Sequence, residues 1–114
     1  MTRLYKILPS AEWDAAAEAG RFEGSALDRQ DGFIHLSAAA QAQRTAELHF
    51  AGREGLVLLE IDAEPLGAAL RWEPSRGGAL FPHLYAPLDC AVVRSVRNLP
   101  LDARGIPQLG ELAP

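Results

Sequence analysis

The segment Leu56-Val57-Leu58-Leu59-Glu60-Ile61, held between Gly55 and Asp62, constrains this chain most. Its apolar residues are nearly continuous, which is the pattern of a short strand buried on both faces. Such a strand belongs at the centre of a sheet. With 114 residues there is room for one core, because two would each be too small to hold together alone. Hydrophobic residues make up 48% and charged residues 23%, too apolar a mixture for disorder. One domain is expected over residues 1–104. An extended tail over 105–114, marked by Pro107, Gly110 and Pro114, follows it.

Around the central strand the sequence predicts an α+β order. Thr2 to Leu8 mixes β-favouring side chains and stops at Pro9. Ser10 then offers an N-cap, Glu12 and Asp14 suit the positive end of a helix dipole, and Trp13, Ala16 and Ala17 form an apolar stripe. This first main helix should run to about Ala19, with Gly20 just past its end. Phe22 to Asp31 reads as a surface connection leading into a strand over Gly32–Ser37. Ser37 can cap a second main helix that runs to about Phe50, ends at Gly52 and is the longest element. Beyond the central strand come a short irregular or helical stretch at Leu66 to Leu70, a segment Arg71 to Ser75 and a turn at Arg76-Gly77-Gly78. Leu80 to Tyr85 and Cys90 to Val96 read as further strands.

Charge and cysteine content narrow the chemistry. A net charge of −4 argues against duplex nucleic acid as the main partner. Arg71 with Arg76, or Arg94 with Arg97 and Arg104, would suit one nucleotide or a short RNA end. Cys90 is the only cysteine, so no internal disulfide or cysteine-rich zinc site can form, and in its apolar segment it reads as a small core residue. No apolar stretch nears membrane-spanning length and the start lacks a signal-peptide core, so a soluble, unprocessed cytoplasmic protein is expected. His35, His49 and His83 are far apart with no local ligand pair, and no metal is expected. Walker, G-x-G-x-x-G and G-x-S-x-G motifs are absent.

Alternation along a strand places Phe33, His35 and Ser37 on one face, opposite Ile34 and Leu36. Phe81, His83 and Tyr85 repeat the device, an aromatic residue, then a histidine, then a hydroxyl. A neutral imidazole can donate from one nitrogen and accept on the other, which suits a ribose hydroxyl, a phosphate oxygen or proton transfer. The plainer reading makes each histidine a hydrogen-bonded residue at a strand end; the repetition favours a polar pocket. Trp72-Glu73-Pro74-Ser75 followed by Arg76-Gly77-Gly78 reads either as a loop that closes over a ligand or as a surface turn. Gly24-Ser25 and Asp28 with Asp31 raise the same choice, Asp31 either orienting an imidazole or starting the turn before Gly32.

Tyr5-Lys6-Ile7, Trp13, Gly24-Ser25, Asp31 to Ser37, Trp72-Glu73, Gly77-Gly78 and Phe81 to Tyr85 together resemble the bacterial family catalogued as domain of unknown function 952, over about residues 3–97. That family resembles the ADP-ribosyltransferase superfamily, and Phe33-Ile34-His35-Leu36-Ser37 resembles the histidine strand of RNA 2′-phosphotransferases. The resemblance implies a split mixed or antiparallel sheet with two main helices around a cleft for NAD or ADP-ribose. It implies Glu73 and His83 as catalytic residues, with Glu73 stabilising an oxocarbenium-like state. His35, Ser37, Tyr85, Trp72, Phe81, Ser75, Ser25 and Asp31 would bind the ligand. The function expected from it is ADP-ribosyl transfer or processing of an RNA 2′-phosphate; the alternative is a non-enzymatic module that binds a small metabolite or a protein terminus.

Overall fold

The strand Leu56–Asp62 is buried along its apolar run and lies inside a sheet, as its sequence predicts. The computed structural model describes residues 1–114 except the side chain of Arg76, so the expected pairing of Arg71 with Arg76 lies outside the described residues. In chain order the elements are β1 (Arg3–Pro9), α1 (Ser10–Ala19), β2 (Arg21–Phe22), α2 (Ala26–Asp31), β3 (Ile34–His35), β4 (Ser37–Ala38) and α3 (Ala39–His49). They continue with β5 (Leu56–Asp62), β6 (Leu70–Pro74), β7 (Leu80–Leu84), β8 (Leu88–Asp89) and β9 (Val93–Asn98). Short 3-10 turns lie at Glu64–Ala69, Arg76–Gly78 and Cys90–Val92.

One sheet has the order β4-β1-β5-β9, a second β3-β7-β6, and β2 pairs with β8; every pairing is antiparallel. The result is a small α+β domain whose core, expected as one, is divided by the β1–β5 sheet into two clusters. One gathers Leu4, Leu8, Leu59, Ile61, Ile34 and Leu84 between the sheets, and the other gathers Tyr5, Ile7, Ala42, Ala46, Leu58 and Leu109 under α3. The alternation of β1 and β5 explains the division, since Leu4 and Leu8 face one core while Tyr5 and Ile7 face the other. Leu109 is fully buried and Tyr5 Oη donates to the Ala113 carbonyl at 2.6 Å, so the final segment packs along the second core.

Several local expectations need correction. Ser10 is the first residue of α1 rather than its cap, because its N–H donates to the Gly55 carbonyl at 2.8 Å and Pro9 takes the cap position. Gly20 closes that helix in the left-handed conformation as expected, whereas Ala17 is exposed. The supposed connection Phe22 to Asp31 contains β2 and α2, and Ser25 precedes α2 with its N–H donating to Asp28 Oδ2 at 2.9 Å. Ser37 does not cap α3 either. It sits in β4 opposite Tyr5, and Gln41 Oε1 accepts from the Ala38 N–H instead. Trp72 and Glu73 belong to strand β6 rather than to a loop; Pro74 is tolerated there because β6 is an edge. Cys90 and Val92 form a 3-10 turn, and the last strand starts at Val93.

Candidate functional site

The register between β3 and β7 sets His35 directly opposite His83, and Arg71 of β6 opposite His83 on the other side. Cross-strand partners share a face, so the two histidines stand side by side while Ile34 and Leu84 turn to the core. Their ring centroids are 5.8 Å apart. Phe33 covers the pair, stacked 4.0 Å from His83 and tilted 4.6 Å from His35, with Tyr85 at 5.3 Å beyond it. Arg71 lies over the Tyr85 ring at 5.1 Å.

Beneath His35 is a buried charge network. Lys6 Nζ donates to both carboxylate oxygens of Asp28, at 3.0 and 2.9 Å. Asp28 also accepts the backbone N–H of Ser25 at 2.9 Å and of His35 at 3.1 Å, and its Oδ1 lies 2.6 Å from His35 Nδ1. Burial pushes Asp28 up, but the hydrogen bond from His35 and the charge and hydrogen bond of Lys6 overcome it and hold the carboxyl well below the usual carboxylate range. An ionised carboxylate only accepts, so Nδ1 of His35 carries a proton. Burial pulls the Lys6 ammonium below its ordinary value, and Asp28 counters that pull. Gly24 permits the close approach of α2, since a Cβ there would meet the Asp28 Cβ at 2.9 Å. The second nitrogen of His35, Nε2, lies 2.9 Å from Asp31 Oδ2.

His83 has a different partner set. Its Nδ1 lies 2.8 Å from Glu73 Oε1, which also accepts from Tyr85 Oη at 2.7 Å. The bonds from Tyr85 and then His83 hold Glu73 below the usual range, and the same contact raises Tyr85.

These groups border a cleft of about 460 Å³ between β1, α2, α3 and the β3–β7 pair. Of the residues singled out from the sequence, Ser25, His35, Ser37, Ser75, Phe81 and His83 line it. Glu73, Tyr85, Trp72 and Asp31 are not among its lining residues; Glu73 and Asp31 stand behind the histidines, and Tyr85 borders a smaller hollow on the far side of Phe33. Trp72 is 43% exposed and belongs to the opposite face of β6 from Glu73. Ser37 Oγ is paired with Thr45 Oγ1 at 3.1 Å. His49 and Arg53 also border the cleft, so all the histidines of the chain converge there. Among the described residues no group of three or more His, Cys, Asp or Glu is arranged to hold a metal. No helix is long and apolar enough to cross a membrane.

Residues 7–96 match the family described as Protein of unknown function (DUF952). The chain belongs to that family. It is similar to the Caulobacter crescentus protein CC0527, whose crystal structure shows 62% identity and a TM-score of 0.92, with 95% of each chain covered. The solution NMR structure of CC0527 gives 63% identity and a TM-score of 0.87, covering 96% of this chain and 95% of that one. No curated protein matches the chain.

The Lys6–Asp28 pair is the part of the site that sequence reasoning missed. A signal was present: Lys6 interrupts the apolar run from Leu4 to Leu8, whose members Tyr5 and Ile7 are buried, and a lysine in that position needs an anionic partner.

Proposed function

We propose that the cleft binds a nucleotide of the NAD or ADP-ribose class. The observation that carries this reading is the His35–His83 pair at the side of a cavity of about 460 Å³, within the size range of small-molecule sites. Phe50 and Phe81 supply flat apolar walls, Ser25 and His83 supply partners for sugar hydroxyls, and Arg53 supplies a cation for a pyrophosphate. The group therefore fits the lining. Two separate sheets flanking one cleft support the ADP-ribosyltransferase-like reading of the fold.

Bound NAD would bring a nicotinamide–ribose bond whose cleavage creates positive charge on the sugar. Stabilising that charge takes a carboxylate at the reacting carbon. Glu73 is tied to His83 and Tyr85 away from the cleft. Of the carboxylates that line it, Asp28 is committed to Lys6 and His35, and Glu12 is exposed on the first turn of α1. This arrangement favours binding over transfer, and nicotinamide release is the outcome that would reverse that order.

An NMR titration with NAD, ADP-ribose and a short RNA bearing a 2′-phosphate tests the reading. The expected result is chemical-shift change at His35, His83 and Phe81, with none at Trp72. His83→Ala, which removes the imidazole that keeps a nitrogen for the cleft, should abolish binding while the domain stays folded. If none of these ligands moves those signals at about millimolar concentration, weaker than small-ligand sites ordinarily require, the nucleotide reading fails.

A further inference from the structure

We propose that His83 is a general base, its Nε2 taking the proton of a ligand hydroxyl brought into the cleft, with Glu73 as the positioning residue behind it. Glu73 Oε1 faces Nδ1 at 2.8 Å, and a carboxylate can only accept there. In the neutral ring the proton is therefore on Nδ1 and the lone pair on Nε2. Tyr85 Oη, donating to the same oxygen at 2.7 Å, fixes the carboxylate, and Phe33 stacked at 4.0 Å fixes the ring plane.

Nε2 has no hydrogen-bond partner among the described residues. Among those residues no fully buried side-chain nitrogen or oxygen lacks a partner either, so Nε2 must be reached by solvent. His83 is only 5% exposed and lines the cleft, so the cleft is where that access lies. A buried imidazole thus turns one lone pair into the cleft and keeps the other nitrogen on an anion, the arrangement by which an acid behind a histidine sets its tautomer and stabilises its protonated form. In the step itself the ligand O–H bond breaks, the proton joins Nε2, and the electron pair stays on oxygen. The positive charge gained by the ring is met by Glu73 through Nδ1–H. The ligand class this selects is one that presents a hydroxyl donor, and the inference does not depend on that ligand being a nucleotide.

The test needs no ligand, so its outcome is separate from that of the nucleotide titration. Nitrogen-15 spectra of the wild-type imidazoles should show His83 as the Nδ1–H tautomer. Diethyl pyrocarbonate, which acylates an imidazole nitrogen through its lone pair, should modify His83 faster than His35, with exposed His49 as the internal standard. Glu73→Ala should let the proton spread to Nε2 and slow His83 acylation relative to His49 by roughly twofold or more, because only rings with a free Nε2 lone pair react there. Tyr85→Phe, which keeps the carboxylate, should retain the tautomer. A wild-type His83 protonated on Nε2, or one acylated no faster than His35, overturns the proposal whether or not Glu73→Ala folds.

Discussion

His35 and His83 are cross-strand partners in the same sequence pattern, yet the chain surrounds them differently. Both nitrogens of His35 are spent on carboxylates, Asp28 at 2.6 Å and Asp31 at 2.9 Å, and the first of these belongs to a buried ion pair. His83 has one carboxylate and one nitrogen left for the cleft. A repeated motif fixed where two rings would stand; the carboxylates contributed by α2 and β6 decided what each ring can do. The resulting contrast is between an anchored histidine that joins α2 to the sheet and an oriented one that faces the cavity.

The contrast breaks most severely at Asp28. Asp28→Ala removes the partner of Lys6, which is only 8% exposed, and leaves a lysine charge among apolar neighbours; the expected loss is about 3–5 kcal/mol, read by urea unfolding at neutral pH. The Asp28 carboxyl lies lower in the folded chain than in the unfolded one. Its contribution is therefore complete above the ordinary aspartate value of 3.8 and is lost as the pH falls below it, so the variant should show a flatter acid limb than wild type. Phe33→Ala strips the shared cover from both rings and should cost about 1–2 kcal/mol through the lost aromatic contacts, with resonance changes at both histidines. Tyr85→Phe should have the smallest effect. Tyr85 is exposed, so the unfolding midpoint should barely move while the Glu73 carboxyl rises toward its ordinary value, which carboxylate NMR can follow.

Where local pattern determined the structure, the sequence was readable. Leu56 to Ile61 announced an interior strand because both of its faces are apolar, and α1 ended at Gly20 because the left-handed turn there suits glycine. Alternation put Phe81, His83 and Tyr85 together, and Phe81 and His83 do share the cleft side of β7, but Tyr85 lies past the end of the strand and borders the smaller hollow. α2 was hidden because it is six residues long and polar, and it draws its support from Lys6, twenty-two positions earlier. Trp72-Glu73 looked like a loop because Pro74 and the glycines follow it, and only the pairing with β7 reveals the strand. Such long-range partners carry no local period. The same limit explains why Glu73 was expected at a reacting sugar and not behind a histidine.

The junction between β3 and β4 gives the cleft a mechanical character. His35 is held by the sheet of β7 and Ser37 by the sheet of β1, and between them lies only Leu36, whose N–H donates to the Pro82 carbonyl at 3.1 Å. One extended residue spans at most about 3.6 Å, so at this point the two walls are tethered by covalent geometry and cannot be drawn apart. A second tie joins the same walls where Gln41 of α3 donates to the Leu80 carbonyl at the start of β7 at 2.8 Å, while His49, Arg53 and Ser75 on the cleft lining are exposed to solvent. At its histidine end the cleft is therefore closed by the chain itself, so a ligand enters past the exposed lining residues.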